Sequence, residues 1–140
     1  MILALFLLVT LSAVGAFLVT IYTVQQQTTT QDELAQRAYQ AARAGMEWGT
    51  YQLLRQSGGA FTTACNGGST TQTISFTAAS GNLAGFSVRV TCTSFGSEIE
   101  GSATVTSYRI VARGCNQANC AAPTLGPNYV ERELQAAIVN

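Results

Sequence analysis

The sequence predicts an α+β fold, one long N-terminal helix packed on a small antiparallel sheet, and three observations predict it. Residues 1–24, MILALFLLVTLSAVGAFLVTIYTV, contain no charge and no proline. Residues 25–55 continue without proline and repeat small or apolar side chains at helical spacing. Beyond residue 71 the apolar period changes to two, in four runs separated by turn-forming residues. The chain accordingly divides into an apolar helical arm (1–24), the amphipathic half of the same helix (25–55) and a β head (56–140).

At about 1.5 Å per residue the arm reaches roughly 36 Å, enough to cross the hydrocarbon core of a bilayer. A secretory signal would open with a basic flank, carry a shorter apolar core and end in a small-residue cleavage site. No lysine or arginine occurs before Arg37. Either a leader has already been removed or the chain starts apolar, and both readings make the arm part of the working protein.

In the second half, Leu34, Ala38, Ala41, Gly45, Trp48 and Leu53 recur on one stripe, with Asp32, Arg37, Arg43 and Arg55 largely off it. Arg43 and Glu47 stand at i and i+4, a spacing that allows surface pairing. The first clear breaker is Ser57-Gly58-Gly59, so one helix is expected from near Ile2 to Arg55, about 80 Å long. A domain of this size needs no such length. Half of the helix must be buried in something other than its own domain.

A loop is expected over residues 57–71. Four strands follow: residues 72–78 with Ile74 and Phe76 alternating; 86–93 with Phe86, Val88, Val90 and Cys92 on one face; 103–113 with Tyr108, Ile110 and Ala112 together; and 129–139 with Val130, Leu134, Ala136 and Ile138 inward. Ser80-Gly81-Asn82, Gly96, Gly101 and the loop from Cys115 to Pro127 separate them, giving hairpin links and an antiparallel sheet. Its apolar face is expected on the second half of the helix, through Leu34, Ala38, Ala41, Gly45 and Trp48, a lollipop with one end of the helix projecting.

The four cysteines, Cys65, Cys92, Cys115 and Cys120, all follow the arm. No histidine is present and no Cys-x-x-Cys pair exists, so a zinc site has nothing to seed it. An even count behind an export-type arm indicates two disulfides in an oxidising compartment. Three connectivities are possible and sequence alone does not choose among them. The favoured pairing is Cys115–Cys120, closing a short loop, and Cys65–Cys92, tying a loop to a strand.

Composition narrows the function. Lysine is absent, seven arginines balance seven acids, and charged residues make up 10% of the chain. No basic patch tracks a phosphate backbone, so no nucleic-acid site is evident. Without histidine the usual neutral-pH general base is missing, and no serine, cysteine or carboxylate has a base and an orienting partner. The expectation is no enzyme and no cofactor. The low-charge, threonine-rich surface resembles that of exported proteins that pack against copies of themselves.

This architecture is that of type IV pilins, and two patches sharpen the likeness. Residues 37–49, RAYQAARAGMEWG, resemble the RA-x-x-AA-x-x-G-x-EW stretch of minor pilins of the MSHA type, the MshP-like biogenesis proteins. PilX-like pilins carry a similar AA-x-x-G. Residues 126–135, GPNYVERELQ, resemble the C-terminal end of the MshP-like group. The resemblance implies a prepilin whose leader is cut by an inner-membrane prepilin peptidase, with Met1 as the N-methylated mature terminus. Subunits would wait in the inner membrane as a single span. The pilus assembly machinery would then pack them, with other pilins, into an extracellular helical filament whose core is made of arms.

Two positions depart from the family. Leu5 stands where the family's arm has a glutamate thought to pair with a neighbour's amino terminus. Its absence removes the cost of a buried carboxylate and also a registration device. Tyr22 replaces the usual proline. Thr10, Ser12, Gly15 and Thr20 are the residues available for local unwinding, or are simply small packing residues.

The site residues expected on this reading are the four disulfide cysteines, Met1, and Leu5, Gly15, Ala41 and Gly45 for filament packing, with no metal site. Glu98 and Glu100 are read as a solvated hairpin tip rather than acid–base or calcium ligands. Residues 131–133, with alternating charge, are read as an edge strand that resists unwanted pairing. Trp48 and Tyr51 are read as core. The leading function is a structural subunit of an MSHA-like type IV pilus. The alternatives are a rare priming or tip pilin, a type II secretion pseudopilin, or, from another class, a single-span membrane-anchored binding domain.

Overall fold

A computed structural model describes residues 2–121, 126 and 128–140, without the side chains of Ile2, Val24 and Gln27. Met1, residues 122–125 and Pro127 therefore lie outside the described residues. Helix α1 spans Ile2–Arg55 without a break, as the absence of proline and the leucine- and alanine-rich composition dictate. By contacts the chain forms two compact units, Met1–Glu33 and Leu34–Asn140. The division falls inside α1, because α1 from Leu34 onward belongs to the core of the head.

Within the second unit, a four-stranded antiparallel sheet is built from β1 (Ser69–Ser75), β2 (Ser87–Glu100), β3 (Ala103–Cys115) and β4 (Glu131–Val139), in that spatial order. Cys92 faces Ile110, and Ala112 lies between Val90 and Leu134, so one sheet face is apolar across the strands. That face meets α1. Leu53, Val88, Val90, Cys92, Tyr108, Ile110 and Ala112 form one buried cluster, while Ala38, Ala41 and Phe86 form a second.

The segment expected to be a loop contains a second helix, α2 (Ala60–Asn66). Its Phe61, Thr62 and Cys65 are buried, and Trp48 meets Phe61 edge-on at 4.9 Å between ring centroids. The strand bounds also differ from those expected. β1 starts three residues early, because its polar Ser69-Thr70-Thr71 start pairs with Thr93, Cys92 and Thr91 without an apolar signal. β2 runs through Gly96, which forms not a turn but a bulge, with a positive φ of 98° and a register shift between Ser94 and Ser97. The turn lies at Gly101-Ser102, where Gly101 has a φ of 67° and Ser102 does not share the positive φ, the pattern of a type II′ hairpin. A short 3-10 segment, Ala78–Leu83, joins β1 to β2.

Candidate assembly surfaces

In the first unit, the described apolar side chains of the arm are all exposed, with Leu3 at 75% and Leu5 at 64%. Its most apolar 18-residue stretch has a mean hydropathy of 2.5, and none of it is buried. By length and composition this helix can cross a membrane. The hydroxyls do not spoil that character. Those of Thr10, Ser12, Thr20 and Thr23 donate to carbonyls one turn back, at 2.8–3.0 Å, so no donor is left for water to satisfy. The helix is regular through Gly15, and a Cβ added there would meet nothing in the chain. Met1, expected as the methylated terminus, lies outside the described residues.

Along the second half of α1, the small residues lie against the sheet, as expected of the stripe. Ala38, Ala41 and Ala42 are fully buried. A Cβ on Gly45 would fall on the Val88 methyl groups, and one on Gly49 would come within 3.0 Å of Val90. Gly114 on β3 is tighter still: its Cβ would strike the Ala38 carbonyl oxygen and stand 2.6 Å from the Ala42 amide nitrogen. Ala41 and Gly45, expected both on the sheet and against neighbouring subunits, are taken up by the chain's own sheet. The stripe is small because the helix backbone rests almost directly on the strands. Gly49 and Gly114 belong to the same contact and were missed from sequence. Their signal was a Gly four residues after Gly45 and a Gly directly after a strand-like run.

The remaining candidates distribute as follows. Glu98 and Glu100 are exposed and lie within β2, opposite Val105 and Ala103, so they precede the turn rather than form it. Tyr51, expected in the core, is 54% exposed, whereas Trp48 is half-buried against Phe61. Arg43 and Glu47 pair at 3.1 Å on the open helix surface. The disulfides are Cys65–Cys92, which fastens α2 to β2, and Cys115–Cys120, which closes the loop after β3. That loop covers Ser87, whose hydroxyl donates to the Gln117 carbonyl at 2.5 Å and is fully buried, although its strand position points away from the main core.

Residues 131–133 do lie on an edge strand, and their carboxylates are engaged. Arg113 on β3 meets Glu133 at 2.7 Å and Glu131 at 3.2 Å. The hydrogen bond to Glu133, against a smaller opposing effect of burial, raises the Arg113 pKa. Tyr129 donates to the Glu131 carboxylate, and its phenol is pushed up to about 12, first by burial and then by that hydrogen bond. These contacts bind β4 to β3 and the C-terminal loop. Among the described residues no group of three or more His, Cys, Asp or Glu side chains is placed to hold a metal ion.

Fold and surface together define a class: an α+β protein whose disulfide-fastened sheet is built on the second half of a helix whose first half is apolar on every side. No family model, curated protein or solved structure matches the chain.

Proposed function

We propose that the chain is a structural subunit of a type IV pilus-like filament, assembled by burying its apolar arm among the arms of other subunits. One observation carries this reading: the described apolar side chains of residues 3–22 are exposed along an uncharged helix whose hydroxyls are satisfied internally. Such a surface requires either lipid or other apolar helices around it. Gly15 adds support, since nothing in its own chain needs a small residue there and small residues let apolar helices approach closely. The two disulfides suit a head that works outside the cytosol.

The arm equally supports a second reading, a single-span anchor for an exported head. The two part on where the chain ends up. Filaments sheared from expressing cells and imaged by cryo-electron microscopy, with mass spectrometry of the same material, test both. A helical map whose core accepts residues 2–24, with peptides of this chain as the main component, supports the filament. Recovery only in the membrane fraction overturns it in favour of the anchor.

A further inference from the structure

The head carries a knob and a groove that do not meet within one chain. The knob is Ile99 on the β2–β3 hairpin. Residues 95–104 of this hairpin are all exposed, and Ile99 is 78% exposed, the highest among the large apolar side chains described. The ladder remains paired out to Glu100 opposite Ala103, so the tip is held in extended form. The groove, about 350 Å³, lies along the outer side of α1 between Met46, Glu47, Thr50, Tyr51, Leu54 and Arg55. A single exposed isoleucine needs no explanation. An apolar knob and an apolar groove on the same head, with complementary charge around each, do.

The charges are these. Among the described residues, Glu98, Glu100 and Arg55 have no ion pair. Glu47 on the groove rim is neutralised by Arg43, which leaves Arg55 as the net charge beside the groove. Strand alternation sends Glu98 and Glu100 to the hairpin face opposite Ile99. Acidic charge at the tip and basic charge at the groove attract across a Debye length, roughly 8–10 Å, without direct contact.

We propose that the Ile99 tip of one head docks in the Tyr51–Leu54 groove of a second copy of this chain. Knob and groove are different patches, so the contact is heterologous and propagates from copy to copy instead of closing a two-fold dimer. It joins heads and does not depend on how the arms are buried.

The test uses the full chain in detergent micelles and in sheared material, with the photoreactive residue p-benzoylphenylalanine at position 99 and isotope-labelled copies mixed with unlabelled ones. Cross-links from position 99 should map to residues 46–55 of another copy. Tyr51→Asp should reduce them at least tenfold. Arg55→Glu should weaken them several-fold, and adding Glu98→Arg with Glu100→Arg should restore them. Cross-links to other segments, to detergent alone, or undiminished by Tyr51→Asp overturn the contact. Filaments whose position-99 cross-links fall elsewhere overturn the docking and leave the pilus reading standing. Mapped cross-links in micelles, with the chain recovered from cells only in the membrane fraction, support the docking and remove the pilus reading.

Discussion

Replacing Gly114 with alanine tests whether α1 rests on the sheet through backbone contact. The new Cβ would meet two backbone groups of the helix, the Ala38 carbonyl and the Ala42 amide, the latter at 2.6 Å. Neither can rotate away as a side chain can. Restoring ordinary contact with the amide requires helix and strand to part locally by about 0.8 Å, and a gap of that size forfeits roughly a quarter to a half of each dispersion well it opens. The layer that would open contains Ala38, Ala41 and Phe86. Overpacking typically costs about 1–3 kcal/mol, and backbone on both sides places this case at the upper end, about 3 kcal/mol. For a domain near 100 residues that lowers the melting temperature by roughly 12–24 °C. The assay is thermal unfolding of the full chain followed by its single tryptophan, Trp48, which packs on Phe61 and therefore reports the head. Gly58→Ala is the control: nothing stands within 4 Å and φ is not positive, so it should be neutral or stabilise by up to about 1 kcal/mol. If the two variants melt within two or three degrees of each other (roughly 0.5 kcal/mol), the close contact between α1 and β3 is wrong.

Other outcomes follow from the same geometry. Removing the Cys65–Cys92 bridge, with a sequence separation of 27, should cost about 3.5 kcal/mol, and removing Cys115–Cys120, separation 5, about 2 kcal/mol; denaturant midpoints of the paired Cys→Ser variants give the order, and the reverse order refutes it. The folded-state pKa of Tyr129 lies above its ordinary value of 10.0, so the stability this phenol contributes is complete below pH 10 and is lost as pH rises toward 12. Tyr129→Phe should therefore lose less stability than the wild type between pH 10 and 12, and equal losses would show that the phenol is not held by burial and Glu131. Leu11→Arg puts a charge near the middle of the arm at a cost of about 2.5–3.5 kcal/mol in lipid. It should reduce membrane retention severalfold or more and leave the Trp48 melting curve unchanged, whereas normal retention would exclude lipid or an apolar helix core as the arm's surroundings.

Much of this fold is legible in the sequence because its two periods are clean. Proline-free helical spacing reaches from Ile2 to Arg55, and Phe86, Val88, Val90 and Cys92 alternate without error, so α1 and the centre of β2 are placed correctly. What escapes is structure without an apolar period. α2 has seven residues, too few to show a repeat, and only Phe61 and Cys65, one turn apart, hint at it. β1 begins on Ser and Thr whose partners across the ladder are what hold them in the strand. Gly96 reads as a turn because sequence does not distinguish a glycine that ends a strand from one that bulges it. Ser87 reads as outward-facing and polar, and is buried only because the Cys115–Cys120 loop folds over it.

The small-residue stripe admits two occupants from sequence, the chain's own sheet and a neighbouring subunit. A run such as Ala38, Ala41, Ala42, Gly45 and Gly49 states that something approaches the helix closely, but not whether that something is the chain itself. Here Val88, Val90, Ile110 and the Gly114 backbone occupy that side of α1. On the filament reading proposed above, a neighbouring subunit has only what the chain leaves uncovered: the arm from Leu3 to Tyr22, the groove at Tyr51 and Leu54, and the hairpin with Ile99. The consequence is a separable pair of outcomes. Large residues at Ala41 or Gly45 should prevent assembly by unfolding the head, with the Trp48 signal lost, because a Cβ at Gly45 already overlaps Val88. Tyr51→Asp, on an exposed position, should leave that signal intact and act on assembly alone. A folded head with bulk at Gly45 would mean that the sheet does not lie where these contacts put it.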